Sequence, residues 1–259
     1  MNATLPQEME QHTYAIMDEV EGSHWWFVGR RAILDSFLKQ IVDRLSSRAE
    51  AGTQSDRLRI LDVGCGTGAN IEMLSQYGDA EGVDISDDAL EFCKQKGLKA
   101  QKGLAETLPY ANETFNLTTA LDVIEHLDDD VAGLKEMFRV TRKGGYSLIF
   151  VPAFMWLWGV QDDISNHRIR YTKRQIVERL QSAGYNIERA TYANWTFFAP
   201  ILAGRTIMKV TGIKPESENN ITVSALNGVF GKLFGAERFW LRNFNFPLGV
   251  SIVVVARKN

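Results

Sequence analysis

The 259-residue chain is poor in cysteine and has no internal repeat or low-complexity tract. Only Cys65 and Cys93 occur, far apart, so neither a disulfide framework nor a zinc cluster is predicted, and a reducing compartment fits. The first eleven residues, MNATLPQEMEQ, are polar and acidic and lack the apolar core of a secretory signal. We therefore expect a cytoplasmic protein.

The chain also has little excess charge of either sign. Its 29 Lys and Arg against 32 Asp and Glu give a net charge of −3. This balance argues against a nucleic-acid partner, because general affinity for nucleic acid depends on neutralising phosphates. The share of apolar residues is 45%, which is enough for a sizeable core in one domain with additions.

Residues 60–68, ILDVGCGTG, have the pattern of a buried strand that ends in a tight glycine turn. The apolar residues at the start are typical of a strand buried on both faces. Three alternating glycines remove Cβ atoms where the backbone takes unusual φ/ψ values or touches a ligand. A helix is predicted over 67–77, with Thr67 as its N-cap. Asp84 ends the next predicted strand, where its carboxylate can accept both hydroxyls of a ribose.

The rest of the chain alternates strands and helices, which is α/β order. The predicted strands are 58–63, 80–84, 98–102, 115–121, 146–151, 185–192 and 250–256. The predicted helices are 7–20, 67–77, 87–96, 130–140 and 173–183, with a further amphipathic helix around 33–45 and a turn at 143–145. This order predicts an N-terminal helical cap and linker at 1–57, a core at 58–194, a helical lid insertion at 195–245 and a last core strand within 246–259.

An ordered set of motifs resembles the class I S-adenosylmethionine-dependent methyltransferases, in particular the ubiquinone-type (methyltransferase type 11) group. The matching segments are 62–68, 82–86, 108–110 with 115–117, 125–127 and 142–145. The resemblance implies a Rossmann-like α/β fold: a doubly wound, mostly parallel seven-stranded sheet. It also implies S-adenosylmethionine as the cofactor and methyl transfer as the activity.

The resemblance assigns cofactor contacts residue by residue. It implies that the glycine turn wraps the methionine end, that Asp62 orients the amino group, that Asp84 holds the ribose and that Ile85 lies against the adenine. Leu104 stands where the family often has an adenine-binding aspartate, and the two substitutes considered are Glu106 and a water molecule. The full set of predicted cofactor residues is Arg30, Asp62, Gly64, Cys65, Gly66, Gly68, Asp84, Ile85, Leu104, Ala105, Glu106 and Asp122.

Arg30 belongs to the segment HWWFVGRR, which resembles the Trp-Trp segment of ubiquinone-type O-methyltransferases. There the downstream arginine meets the cofactor carboxylate, and the resemblance transfers this role to Arg30. The alternative is that Trp25 and Trp26 only pack the cap onto the core and that Arg30 and Arg31 stay solvated.

A sulfonium methyl group is already a strong electrophile, so the protein mainly has to align a nucleophile and exclude water. For a hydroxyl acceptor a base helps, and His126, Asp122 and His167 are the candidates by motif position. The alternative for His126 is a packing or capping role. Asp162, Asp163 and His167 lack a clear fourth ligand, so no metal is predicted.

The insertion 195–245 interleaves aromatic and aliphatic residues with Lys and Arg, and residues 195–259 carry eight Lys and Arg against three Glu. Apolar residues at helical spacing predict a lid packed on the core. Aromatics flanked by basic residues also suit an anionic membrane surface. The combined hypothesis is a small-molecule or lipid-linked acceptor, O- or N-methylated under an oily lid, with weak peripheral contact at the inner membrane face.

Two other functions remain open on sequence grounds. Gly64, Gly66 and Ala69 also fit the G-x-G-x-x-A turn of an NAD-dependent oxidoreductase. A non-catalytic membrane-surface protein that retains a cofactor-binding fold is the third hypothesis.

Overall fold

A computed structural model describes residues 11–48, 57–212 and 226–259. Its centre is a seven-stranded sheet in the order β3-β2-β1-β4-β5-β7-β6. The strands are β1 (Arg59–Val63), β2 (Asp79–Asp84), β3 (Ala100–Lys102), β4 (Phe115–Leu121), β5 (Thr141–Pro152), β6 (Asn186–Ala193) and β7 (Ser251–Arg257). The first five are parallel, and β7 runs antiparallel between β5 and β6. The predicted fold class is thereby confirmed.

Helices cover both faces of the sheet. They are α1 (Gln11–Glu21), α2 (Trp25–Arg48), α3 (Ala69–Leu74), α4 (Asp87–Gln95), α5 (Asp130–Val140), α6 (Val160–Ile164), α7 (Lys173–Ser182), α8 (Phe198–Thr211), α9 (Asn227–Gly235) and α10 (Glu237–Leu241), with 3-10 turns at Ile124–His126 and Met155–Leu157. The side chain of Ser86 caps α4, and Thr172 with Gln175 forms the predicted capping box of α7. In the described part of the chain, no helix is both long and apolar enough to cross a membrane.

Two hydrophobic layers form on opposite faces of the sheet because side chains alternate along each strand. Ile60 points into the layer that contains α2, whereas Leu61 and Val63 point into the layer that contains α5 and α7. Five residues of α2 at helical spacing are at most 2% exposed: Ile33, Leu34, Phe37, Leu38 and Ile41. Each such burial contributes roughly 1.5–3 kcal/mol, so the N-terminal cap is fixed firmly to the core.

Several local predictions were wrong. The N-cap of α3 is Gly68, at φ +94°, and the hydroxyl of Thr67 instead donates to Glu21 at 2.5 Å. The helix also stops at Leu74 and not at residue 77. Residues 143–145 lie within β5, where a register shift against β4 absorbs the glycines. Predicted structure at 7–10, in the linker at 49–56 and in the insertion at 213–225 lies outside the described residues.

The strand directions gather several chain segments at one edge of the sheet. The carboxyl ends of β1, β2 and β4 lie there, as expected for parallel strands. Pro152 at the end of β5 and Ala193 at the end of β6 both pair with Ser251 at the start of antiparallel β7. In open α/β sheets, ligands bind outside this edge, where the strand order reverses between β1 and β4.

Candidate active site

A cavity of about 740 Å³ opens at this edge of the sheet. Its floor is formed by the ends of β1, β2, β4 and β5, and its walls are formed by α1, the start of α2, α6 and α8. The N-terminal cap and the insertion therefore enclose one space from two sides. Such a volume is in the usual range of small-molecule sites.

The glycine turn forms one end of the cavity. The N–H groups of Gly64 and Cys65 both donate to the carbonyl of Val83, which ties the turn to β2. A Cβ at Gly64 would lie 2.5 Å from Val123, whereas a Cβ at Gly66 would meet no atom within 4 Å. Because Gly66 lines the cavity, its missing side chain leaves room that a ligand can fill. The turn thus fits a group that approaches the backbone closely.

Asp84 lies beside this turn at the end of β2. One carboxylate oxygen accepts from the N–H of Gly66 at 2.9 Å, and the other accepts from the N–H of Ser86 at 3.0 Å. These bonds orient the carboxylate at the cavity surface. The geometry suits the two hydroxyls of a ribose.

Arg30 is 4% exposed, so it is not solvated. Its Nε lies 2.8 Å from Asp122 Oδ2, and one terminal nitrogen donates to the Leu121 carbonyl at 2.9 Å. The guanidinium also lies 5.3 Å from the ring centroids of both Trp26 and Phe150. A buried cation is thereby held at the cavity wall next to the glycine turn.

Asp62 lies beneath the cavity wall and not on its surface. It is fully buried, and its Oδ1 accepts from the Thr119 hydroxyl at 2.6 Å. Its Oδ2 has no hydrogen-bond partner among the described residues. Burial raises the pKa of Asp62 to about 7, against the opposing effects of the Thr119 hydrogen bond and the positive charge of Arg30.

The other predicted cofactor residues divide into two groups. Cys65, Ile85, Ala105 and Glu106 line the cavity. Gly68 and Leu104 do not: a Cβ at Gly68 would lie 2.4 Å from Leu98, and Leu104 forms a backbone bridge with Thr107. Burial raises the pKa of Glu106.

The three predicted bases have different surroundings. Asp122 forms the ion pair with Arg30, and burial raises its pKa although Arg30 opposes this. Burial lowers the pKa of His126 to about 3, so this ring stays neutral and is a weak base. His167 lies at the cavity surface with its ring centroid 4.7 Å from that of His126.

Asp162 fixes the orientation of His167. Its Oδ1 lies 2.8 Å from Nδ1 of His167, and Nη1 of Arg170 donates to both of its oxygens at 3.0 and 2.9 Å. Burial alone would raise the pKa of Asp162, but His167 and Arg170 outweigh it and hold the pKa at about 2. The carboxylate is therefore ionised and can only accept, so Nδ1 carries the proton and the neutral ring has its lone pair on Nε2.

Glu125 lies behind the two histidines, fully buried, with neither carboxyl oxygen hydrogen-bonded to a described residue. Burial raises the pKa of Glu125 well above its usual value, which favours the protonated carboxyl. Ligand atoms of Glu125, His126 and His167 lie within 4.8 Å of one another, close enough to share one cation. A neutral carboxyl binds a metal only after losing its proton, and the absence of a metal requirement stays a prediction.

The far wall of the cavity is built by one face of α8. Ile201, Gly204, Arg205 and Met208 have the i, i+3, i+4, i+7 spacing of one helical face, and all four line the cavity. Arg205 donates to the carbonyl of Leu157 and is 8% exposed. The opposite face is open to solvent, with Ile207 59% and Val210 81% exposed. Apolar side chains of α8 therefore face both the cavity and the solvent.

Sequence reasoning missed three groups of this site. Asp162 was considered only as a metal ligand, although its spacing of five residues before His167 could have indicated a carboxylate–histidine pair. His24 lines the cavity, and its Nδ1 accepts from the Trp26 N–H, which leaves the ring proton on Nε2. Asn194 had no sequence signal at all, because its position depends on how β6, β7 and α10 meet.

Residues 61–149 match the family described as a methyltransferase domain. The 2-methyl-6-phytyl-1,4-hydroquinone methyltransferase 2 of Oryza sativa is 27% identical over 175 residues, which cover 64% of this chain and 50% of that protein. The ubiquinone biosynthesis O-methyltransferase of Parvibaculum lavamentivorans is 32% identical over 143 residues, 49% of this chain and 56% of that protein. The chain spans about half the length of the curated relatives it matches.

A solved S-adenosylmethionine-dependent methyltransferase of Thermotoga maritima has a similar fold. It aligns with a TM-score of 0.57 and 16% identity over 95% of this chain and 97% of that one. The domain match identifies residues 61–149 as similar to methyltransferase domains, and the solved structure shows the predicted class I methyltransferase fold. Both support S-adenosylmethionine as the cofactor. They give no support to an NAD-dependent oxidoreductase.

Proposed function

We propose that this chain, whose residues 61–149 match the methyltransferase domain family, transfers a methyl group from S-adenosylmethionine to a hydroxyl of a small, lipophilic aromatic acceptor. The observation that carries this proposal is that one cavity is lined by the glycine turn, the Asp84 carboxylate, the Asp162–His167 pair and apolar residues of α8.

The cofactor end of the site is proposed at the turn between β1 and α3. The open space at Gly66 receives the backbone-facing part of the cofactor, and Asp84 accepts from its ribose hydroxyls. Arg30 supplies a buried positive charge for its carboxylate, and Ile85 and Ala105 cover its base. When bound, S-adenosylmethionine supplies an electrophilic methyl group on sulfur.

The acceptor is proposed to lie against α8. Ile201 and Met208 present apolar surface to the cavity, and apolar walls exclude water from an electrophile that water would otherwise attack. The printed names of two relatives, a hydroquinone methyltransferase and a ubiquinone biosynthesis O-methyltransferase, support a hydroxylated ring as the acceptor.

His167 is the proposed general base. Asp162 holds its proton on Nδ1 at 2.8 Å, which leaves Nε2 free to take the proton of the acceptor hydroxyl as the methyl group is transferred. His126 is the weaker candidate because burial lowers its pKa to about 3.

A transfer assay tests the proposal. The protein is incubated with S-adenosylmethionine labelled in the methyl group and with 2-methylhydroquinone, a longer-chain alkylhydroquinone or an alkylamine. We expect labelled ether from the hydroquinones, with higher kcat/KM for the longer chain. Label on the amine alone, or on no acceptor, would contradict the proposal.

We further infer that the molecule contacts anionic membranes through an aromatic surface cluster, defined as Trp195, Trp240, Phe244 and Phe246. Neighbouring rings in this cluster lie 4.8–6.1 Å apart, and Trp195, Trp240 and Phe244 are each at least half exposed. Arg238 and Arg242 flank it in sequence. Aromatic side chains beside cations suit the headgroup region of anionic lipid.

Co-sedimentation with vesicles of phosphatidylglycerol and phosphatidylcholine measures this contact. We expect binding at low salt that Arg242→Ser and Trp240→Ser weaken. Lys94→Ser is the control, because Lys94 lies on α4 beside β2 and β3, towards the opposite edge of the sheet from β6. Equal binding of all variants would exclude contact through this cluster, and no binding by the wild-type protein would exclude the membrane contact altogether.

A further inference from the structure

Asn194 is a fully buried residue at the cavity surface, and no group in the described part of the chain hydrogen-bonds its side chain. It follows β6 directly, lines the cavity and is 0% exposed. Neither Oδ1 nor Nδ2 has a partner among residues 11–48, 57–212 and 226–259. A buried carboxamide that meets neither protein nor water is unfavourable, and nearly all such groups in folded proteins are paired.

The backbone of Asn194 is held firmly in an unusual conformation. Its φ is +57°, in the left-handed region that asparagine tolerates better than most residues. Its N–H donates to Glu237 of α10 at 2.8 Å, and its carbonyl accepts from the N–H of Val250 at 3.3 Å. Glu237, 5% exposed, also accepts from the N–H of Thr196 at 2.8 Å. The insertion thereby fixes this turn.

Backbone conformation explains why an asparagine is tolerated here, but it leaves the unpaired amide unexplained. Glycine would adopt the same φ without burying two polar atoms. Strained backbone that the surroundings hold in place is common at ligand sites. The missing partner of the amide is therefore to be sought in the cavity.

We propose that Asn194 is a specificity-determining residue that hydrogen-bonds a second polar group of the acceptor, apart from the hydroxyl that is methylated. A carboxamide offers one acceptor oxygen and two donor hydrogens, so it pairs with a hydroxyl or a carbonyl on the ring. The acceptor class is thus an aromatic ring with two oxygen substituents. This inference rests on the proposed aromatic acceptor.

Two small probes isolate the second oxygen: 2-methylhydroquinone, with two hydroxyls, and 3-methylphenol, which lacks one of them. Their dissociation constants are measured by ligand-observed NMR under argon, with S-adenosylhomocysteine present. The wild-type protein is expected to bind the diol more tightly, and Asn194→Gly to weaken the diol about fivefold while changing the phenol less than about twofold. An equal change for both probes, or a wild-type protein that binds the two alike or binds neither, would overturn the inference.

Asn194→Gly keeps a residue that adopts φ +57° freely, so the variant tests the amide and not the turn. Glu113→Gly is the matched control, because Glu113 also has a positive φ (+55°) but is exposed and outside the cavity. Asn194→Asp, which also deletes the amide but tolerates this φ better than most residues, serves if the glycine variant does not fold.

Turnover separates the two proposals. If the wild-type protein methylates the diol, Asn194→Gly is expected to raise its KM about fivefold with kcat changed less than about threefold. A KM that does not change would overturn the role of Asn194 and leave the proposed function intact. If no acceptor is methylated, the proposed function fails, and the binding ratio of the probes still decides the role of Asn194.

Discussion

The buried carboxyl of Asp62 makes the stability of the ligand-free protein depend on pH. Its pKa is raised from 3.8 to about 7 by burial. Between these two values the folded state binds more protons than the unfolded state, so the free energy of unfolding falls as the pH rises. The stabilisation is fully present below 3.8 and is lost as the pH passes about 7.

The magnitude follows from the size of the shift. At 1.36 kcal/mol per pKa unit, a shift from 3.8 to about 7 corresponds to about 4 kcal/mol. Asp62→Asn removes the titrating group. The asparagine oxygen can still accept a hydrogen bond from the Thr119 hydroxyl, which in the wild-type protein donates to Asp62 at 2.6 Å. Asp79→Asn is the control, because it makes the same change at the exposed start of β2.

Urea unfolding from about pH 5 to about pH 8 measures the effect. We expect the free energy of unfolding of the wild-type protein, relative to Asp62→Asn, to fall by about 1.4 kcal/mol per pH unit up to about pH 7 and then to level off. Asp79→Asn should stay parallel to the wild type. A wild-type difference from Asp62→Asn that does not vary with pH would refute the reasoning.

The other predictions concern the site itself. Asp84→Ala removes two charge-assisted hydrogen bonds and should weaken S-adenosylhomocysteine binding by about 2 to 4 kcal/mol in calorimetry, whereas exposed Asp87→Ala should not; normal binding by Asp84→Ala would contradict the ribose assignment. His167→Asn should lower kcat for a hydroxyl acceptor about 100-fold or more, and His126→Asn should lower kcat much less. A larger loss of kcat in His126→Asn than in His167→Asn would exclude His167 as the base. Dialysis against a chelator should leave the transfer rate unchanged, and a loss that divalent metal restores would assign the Glu125, His126 and His167 cluster to a metal.

The glycine turn and the strand order could be predicted because their signals are local. Residues 60–68 carry the strand, the turn and the glycines that the turn requires, and Asp84 follows at the expected spacing. The cap of α3 was mispredicted because Gly68 takes a left-handed φ, so the Thr67 hydroxyl is free to bind Glu21 instead. Local propensity does not reveal such a tertiary competitor.

The pairing of the polar side chains in the site could not be predicted because it depends on contacts between distant segments. Arg30 meets Asp122 across 92 positions, and Asn194 is positioned by Glu237 and Val250. His126 and His167 differ as bases because burial lowers the pKa of His126, whereas Asp162 hydrogen-bonds His167. The position of the two residues in the sequence motifs does not show this difference.

Calorimetric titration with S-adenosylhomocysteine and with NAD tests the central claim most directly. We expect the wild-type protein to bind S-adenosylhomocysteine in the low micromolar range (~1–10 μM) and NAD not measurably. Gly66→Ala should weaken binding strongly, because its Cβ would enter open space at the cavity surface. Gly97→Ala, with a similar positive φ and equal open space but outside the cavity, should bind as the wild type does. Binding of NAD in place of S-adenosylhomocysteine, or equal effects of the two glycine substitutions, would contradict the account.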